Sequence, residues 1–225
     1  MHIEPGVVDG AKMVFAYGTA AAAAGYSAKL VAADLARNDL PTFVIRTVLA
    51  TAGVFVFFEV LPHFAVGVSE VHLILGTTLF LLLGAAPSAI GLALGLLVQG
   101  MFFAPTDLPM YFVNVTTLLV PLFAIDALAG RVVPKDTAYV DLSYTHVLKM
   151  SGVYQGGIVA WVAFWAIYGQ GAGADNLNAV WTFGAAYMLV ILVEPLVDLA
   201  VLAAAKTLHK GKGWGIFTDR LYYAA

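Results

Sequence analysis

The sequence contains no cysteine among its 225 residues. Disulfide bonds, zinc sites with thiolate ligands, iron–sulfur clusters and cysteine nucleophiles are therefore excluded. Two further patterns are missing: GxxxxGK[ST], which cradles phosphates in many ATPases, and HExxH, which holds zinc in metalloproteases. We therefore expect no catalytic role for this chain, and any ATP hydrolysis linked to its function must occur on separate chains.

Charge is also scarce, because Asp, Glu, Lys and Arg make up 11% of the residues, against about 25% in soluble domains. Apolar residues reach 61%, and the mean hydropathy is +0.89. These values predict an all-α polytopic membrane protein in which residues 1–225 form a single transmembrane domain. The net charge of −3 gives no reason to expect nucleic acid as a partner.

Apolar runs bounded by Gly, Pro and charged residues fall at 11–34, 43–62, 72–84, 88–103, 109–129, 147–168 and 178–205. Residues 72–104 are too long for one span and short for two, at ~1.5 Å per residue against a ~30 Å hydrocarbon core. The turn sequence GAAPS at residues 84–88 allows two. We therefore predict about seven transmembrane helices within residues 11–205, followed by a cytoplasmic tail at 206–225.

The distribution of positive charge predicts the orientation. With seven spans and the N-terminus outside, all 11 Lys and Arg residues except Lys12 fall on the cytoplasmic side. Cytoplasmic loops carry an excess of Lys and Arg, so this bias places the C-terminus inside. The same topology gathers polar residues at the outer ends of the helices, where they are costly unless they face a cavity or one another. They are His2, Glu59, His63, Glu70, His72, Gln99 and Asn114.

Residues 1–10 contain no Lys or Arg, unlike the positive start of a signal peptide, so we expect them in the mature protein as a metal-binding segment. The amine of Met1, the amide nitrogen of His2 and its imidazole can close fused five- and six-membered chelate rings. Three nearly coplanar nitrogens need a fourth nitrogen to complete a square around the ion. Square-planar nitrogen coordination suits Ni(II) or Cu(II) and accepts Co(II). His72 and His63 are both candidates for the fourth nitrogen. The alternative is that the Met-His start is accidental.

Three stretches of the sequence resemble one family. The start MHIEPGVV is similar to a Met-His-Ile-x-x-Gly opening, and LPMYFVN places Asn114 as that family does. Residues 66–104 are similar to a Ser-x-x-His segment with Gly-rich short helices and a Leu-Leu-x-Gln ending. The family is CbiM/NikM, the substrate-binding membrane subunits of energy-coupling-factor ABC transporters for cobalt and nickel. The resemblance covers most of residues 1–130 and is weaker beyond them.

The resemblance implies a subunit that imports Co(II) or Ni(II) as its substrate, spans the bacterial or archaeal cytoplasmic membrane several times, and has no catalysis of its own. It implies Met1, His2 and His72 as metal ligands, and Asn114 and Gln99 as polar residues that order the site. The implied partners are a membrane coupling subunit, ATP-binding subunits and, in some systems, a small accessory membrane subunit. The sequence departs from the family at residues 104–107, which read APTD in place of His-Gly-Gly, and this leaves the choice of metal open.

The alternative function is an autonomous cation channel or a proton-coupled metal carrier. Glu59, Glu194 and Asp198 would then carry charge through the membrane. Glu194 and Asp198 stand four residues apart and therefore share one face of the last span. A role in packing or partner contact is the simpler expectation for that pair. The sequence assigns no role to Glu70, an acidic residue two positions before His72.

Overall fold

The computed structural model describes residues 2–134, 137–207 and 216–223. The helices of this part of the chain are α1 (Met13–Leu35), α2 (Leu40–Phe55, continued by a π-helical turn at Val56–Val60), α3 (Gly76–Leu83), α4 (Ala85–Phe102), α5 (Tyr111–Val132), α6 (Tyr144–Gln170), α7 (Ala174–Thr207) and α8 (Asp219–Tyr222). Short 3-10 helices cover Gly10–Lys12, Pro105–Met110 and Tyr139–Asp141. One small hairpin pairs β1 (Phe64–Val66) with β2 (Ser69–Val71). The prediction of an all-α fold is confirmed.

Several helices have the length and composition of membrane spans. Within the described ranges, five qualify: Leu40–Val60, Ala85–Phe102, Pro105–Val132, Tyr144–Gln170 and Ala174–Thr207. The first helix, α1, has 23 residues, which is also long enough, but its many Ala, Gly and polar residues make it less apolar. The chain is therefore a polytopic helical membrane protein, as predicted.

The predicted third span, 72–84, differs from a transmembrane helix. Residues 72–75 are not helical, and α3 has only eight residues, or ~12 Å at ~1.5 Å per residue. All residues of α3 except Leu82 are buried. Backbone that is not helical is tolerated at membrane depth where protein covers it, because lipid cannot satisfy its polar groups. Residues 72–104, which are too long for one span and short for two, thus form a short helix covered by protein and, after Gly84, the full-length α4.

The helix bundle has two distinct ends. At one end, Ile3 near the start of the chain contacts Asn114 near the start of α5. At the opposite end, Arg46 of α2 pairs with Asp34 near the end of α1, with 2.6 Å between Nη2 and Oδ1. Arg46 also donates to the carbonyl of Leu83, the last residue of α3. Gln170, the last residue of α6, donates to the carbonyl of Gly6, whereas Lys206 in the last turn of α7 donates to the carbonyl of Leu142, just before α6. Residue 2 and the last turn of α7 therefore lie at opposite ends, while the assignment of one end to the outside stays a prediction.

Glycines let two pairs of segments approach closely. A Cβ on Gly91 of α4 would lie 2.3 Å from the Cβ of Ala50 in α2, so these helices pack backbone to backbone. A Cβ on Gly169 near the end of α6 would lie 1.9 Å from the carbonyl oxygen of Val7. Both distances are far below van der Waals contact, so a larger residue at either position forces the segments apart. The N-terminal segment is consequently packed directly onto α6.

A cavity of about 630 Å³ opens at the end of the bundle that holds Arg46. Its charged lining residues come from α1, the α1–α2 connection, α5 and α8 and are Asp34, Arg37, Asp126, Asp219 and Arg220. The predicted tail, 206–225, contains the last two residues of α7 and the short α8. Thr218, just before α8, ties the tail to α3 through a hydrogen bond of 2.7 Å from its amide to the carbonyl of Leu82. Residues 208–215 of that tail lie outside the described residues.

Candidate metal site

Backbone pairing fixes the start of the chain against the hairpin. Ile3 forms an antiparallel bridge with Ser69 of β2. The amide of Glu70 and the hydroxyl of Ser69 both donate to the carbonyl of His2, each at 2.9 Å. The amide of Glu4 donates to the carbonyl of Val68 at 3.1 Å. His2 therefore lies beside the end of the hairpin, and 97% of its surface is covered.

Asn114 provides a second anchor for the same segment. Its Oδ1 accepts a hydrogen bond of 2.8 Å from the amide of Ile3, and its side chain is buried. A buried amide group without a partner costs about 1–3 kcal/mol, so this bond fixes the residue next to His2 firmly. Asn114 therefore holds the backbone next to His2, while its role in metal binding stays a prediction.

His72 has the arrangement of a metal-ligating histidine. Its Nδ1 lies 3.0 Å from the carbonyl oxygen of Leu73, so Nδ1 carries the hydrogen and Nε2 carries the lone pair. Metal-bound histidines usually donate their other ring nitrogen to a carbonyl or carboxylate in this way. The Nε2 atom is buried and has no hydrogen-bond partner among the described residues. A buried lone pair without a donor is costly, and a cation would satisfy it.

Three side chains come together at this point: His2, Glu70 and His72. One ligand atom from each lies within 4.8 Å of the others. The rings of His2 and His72 have their centroids 5.6 Å apart, and Nδ1 of His2 lies 2.7 Å from Oε2 of Glu70. The predicted pair of histidines is therefore brought together. Glu70 received no role from the sequence, yet residues 70 and 72 share a face of any extended segment, which is the signal that points to it.

The protonation of the pair follows from its environment. Burial, the largest effect, lowers the pKa of His2 below its ordinary value of 6.5, although the hydrogen bond with Glu70 opposes this shift. Burial alone would raise the pKa of Glu70, but the hydrogen bond and charge interaction with His2 lower it overall. A neutral imidazole therefore donates its Nδ1 hydrogen to an ionised carboxylate. Neutral imidazole and carboxylate are the forms that bind metal ions.

Gln99 is linked to the cluster of His2, Glu70 and His72 through Phe58. Its Nε2 donates to the carbonyl of Phe58 at 3.4 Å and to the carboxylate of Glu59 at 3.2 Å. The ring of Phe58 contacts both imidazoles, with centroids 4.5 Å from His72 and 5.8 Å from His2. The prediction that Gln99 adjoins the site is refined accordingly: Gln99 orders the π-helical turn that carries Phe58.

The remaining predicted ligands are His63 and Met1. Nδ1 of His63 lies 3.2 Å from the carbonyl oxygen of Leu61, and His63 is not a member of the group formed by His2, Glu70 and His72. Between the two histidines proposed for the fourth nitrogen, the geometry favours His72. Met1 lies outside the described residues, so its amine stays a prediction.

A carboxylate from α7 supports the segment that carries His72. Glu194 is buried and accepts hydrogen bonds from the amide of Ile74 and from Nε2 of Gln155. The next residue, Leu75, which directly precedes α3, has a left-handed backbone with φ = 54°, a conformation that costs about 1–3 kcal/mol outside glycine. The sequence analysis gave Glu194 a packing role, and the structure adds that it holds the backbone two residues after His72.

A small cavity adjoins the cluster. It measures about 10 Å³ and is lined by His2, Leu96, Gly100, Asp107, Leu108, Tyr111 and Asn114. That volume is about what one water molecule needs. This cavity beside His2 can therefore hold one water molecule or one small ion, but it has no room for an organic substrate.

A buried cluster of two imidazoles and one carboxylate in a polytopic helical membrane protein has the ligand types that a metal transport protein uses. Residues 2–210 match the family CbiM, described as the cobalt uptake substrate-specific transmembrane region. The match spans most of the chain, and the protein belongs to this family. It is thus a membrane component of cobalt or nickel uptake, and the resemblance noted in the sequence is confirmed.

A solved structure shares the fold. The crystal structure of a truncated transition metal transporter superposes with a TM-score of 0.66 over 93% of this chain and 99% of that chain. The two sequences are 17% identical, so the similarity concerns the fold alone. No curated protein matches the chain.

Proposed function

We propose that this chain is the subunit that binds and selects the metal in a transporter that imports Co(II) or Ni(II). The observation that supports it best is the buried, unpartnered Nε2 of His72 in one cluster with His2. The proposed nitrogen ligands are the amine of Met1, the amide and imidazole of His2, and His72. Nitrogen ligands in one plane favour Ni(II) and Co(II) over Mg(II) and Ca(II), which prefer oxygen.

The chain works with partners in this proposal. It has no phosphate-binding sequence, so ATP-binding subunits and a membrane coupling subunit would supply the energy, with or without a small accessory membrane subunit. The end that holds His2 would face outward in the cytoplasmic membrane of a bacterium or archaeon, because the excess of positive charge then lies inside. The protein itself would catalyse no reaction.

An autonomous carrier has less support. Glu194 accepts hydrogen bonds from Ile74 and Gln155, and Asp198 accepts one of 2.6 Å from the hydroxyl of Thr78. These bonds join α7 to α3 and α6, which is the behaviour of structural residues. A charge carrier along a path would have to break them in every cycle.

The test is a titration of purified protein in detergent with Co(II) and with Ni(II). We expect the native protein to bind, and His72→Ala to lose binding by at least 100-fold. His63→Ala is the matched control, because it removes an imidazole from the same end of the bundle, and we expect its affinity to be unchanged. Native-like binding by His72→Ala, or loss of binding in His63→Ala, would contradict the proposed ligand set.

A further inference from the structure

The proposed chelate and the observed hydrogen bond compete for one nitrogen. A six-membered ring that includes the amide nitrogen of His2 must close through Cα, Cβ, Cγ and Nδ1. Nδ1 is also the atom that lies 2.7 Å from Oε2 of Glu70. Once a metal binds Nδ1, that nitrogen has no hydrogen to donate. Metal binding therefore removes the bond from His2 to Glu70.

Leaving the carboxylate of Glu70 without a partner would cost free energy. Glu70 keeps only 20% of its side-chain surface exposed. Its backbone is held at the same time, because its amide donates to the carbonyl of His2 and β2 is paired with β1. The side chain consequently stays next to the bound ion, and an anion beside a divalent cation gains most by binding it directly.

The spacing suits direct binding. With metal–nitrogen and metal–oxygen bonds of roughly 2.0–2.2 Å, two ligands at a right angle are separated by about 2.9 Å. The observed separation of Nδ1 and Oε2 is 2.7 Å. An ion can thus bind Nδ1 and Oε2 together at nearly their observed separation, once the imidazole and the carboxylate turn so that a lone pair of each points at the ion. His72 lies in the same group, within 4.8 Å of both.

We propose that Glu70 is a direct oxygen ligand of the transported metal ion, added to the nitrogen ligands of His2 and His72. This inference rests on the proposed function and concerns the same site. A carboxylate outside the plane of four nitrogens makes the ion five-coordinate. Ni(II) then loses the strictly square-planar geometry that four nitrogens impose. Co(II) tolerates five ligands, so the affinity for Co(II) comes closer to the affinity for Ni(II). Glu70 would therefore determine how well this chain accepts cobalt.

The test is X-ray absorption of the Ni(II)-loaded protein. Square-planar Ni(II) gives a sharp pre-edge feature that a fifth ligand removes. We expect the native protein to lack this feature and to show an oxygen among its ligands. In Glu70→Gln we expect the feature to appear, and Co(II) affinity to fall roughly tenfold or more while Ni(II) affinity falls less.

Asp175→Asn is the control, because it removes an equal charge from an exposed residue in the first turn of α7, at the end of the bundle that holds the metal site. Its spectrum and affinities should match the native ones. A square-planar spectrum of the native protein overturns the proposal even if no variant can be purified, while tight metal binding in the same sample leaves the proposed function intact. A native protein that binds neither Ni(II) nor Co(II) overturns the proposed function and this inference together.

Discussion

The amide of Ile3 donates a hydrogen bond of 2.8 Å to Oδ1 of Asn114, across 111 positions of the chain. This bond ties the N-terminal segment to α5, and the bridge between Ile3 and Ser69 ties it to the hairpin. His2 stands immediately before this doubly anchored residue. The position of its imidazole is therefore set by helices and strands distant in sequence.

Asn114→Ala should weaken metal binding by roughly 10–100-fold without abolishing it, because it removes an orienting bond and leaves every ligand in place. Asn114→Asp keeps the acceptor oxygen and should retain most of the affinity. Cobalt and nickel titration of both variants checks the expectation. Equal affinities of Asn114→Ala and native protein would show that the bond to Ile3 does not order the site.

An N-terminal extension should destroy the site. Adding one residue before Met1 converts the proposed amine ligand into an amide and lengthens the chain next to a cavity of about 10 Å³. His2→Ala breaks the same chelate, so both changes should reduce binding equally. The same tag at the C-terminus should have no effect, because the last turn of α7 lies at the opposite end of the bundle.

The measurement compares native, extended, C-terminally tagged and His2→Ala proteins by metal titration with absorption spectra. An extended protein that binds as tightly as the native one would remove the amine of Met1 from the ligand set. The cluster of His2, Glu70 and His72 would then be the complete site.

Much of the fold could be predicted because membrane helices follow from length and hydropathy. The apolar runs predicted all the long helices of the described chain, whereas the orientation inferred from the positive charges stays a prediction. The short α3 could not be predicted in this way. In the sequence, its eight residues look like the start of a transmembrane span. Residues 72–75 can lack helical hydrogen bonds at membrane depth only because the other helices cover this segment.

The site was predictable only in part. His2 and His72 are visible in the sequence because imidazoles are rare there and imidazole is a common metal ligand. Glu70 could be recognised only from an extended backbone at residues 70–72, which hydropathy does not reveal. The contact between Glu194 and Ile74 spans 120 positions and depends on how α7 packs against α3, which no local pattern encodes.

Glu194→Gln should loosen the segment that carries His72. The new amide group would face Nε2 of Gln155, donor against donor, while Oε1 of Gln155 is already bound by the hydroxyl of Tyr187 at 2.6 Å. Losing one buried hydrogen bond costs about 1–3 kcal/mol, so we expect lower thermal stability together with weaker metal binding.

The exchange of both residues provides the control. Glu194→Gln combined with Gln155→Glu reverses the direction of the bond and keeps an acceptor for both Ile74 and Tyr187. This double variant should recover most of the stability and affinity, as measured by thermal unfolding and metal titration in a double-mutant cycle. Additive losses in the cycle would show that the two side chains do not act through each other.

The orientation of the bundle can be tested in a chain that lacks cysteine. Gly173 lies between α6 and α7 at the end that holds the metal site, and Arg37 lies between α1 and α2 at the opposite end; both are exposed. We expect Gly173→Cys to react with a membrane-impermeant thiol reagent added to intact cells, and Arg37→Cys to react only after the membrane is opened. Neither position has a contact that the site depends on, so uptake should persist and report that the labelled protein is folded. The reverse pattern would place His2, Glu70 and His72 on the cytoplasmic face, where an imported ion arrives last, and the protein could not then select its substrate at that site.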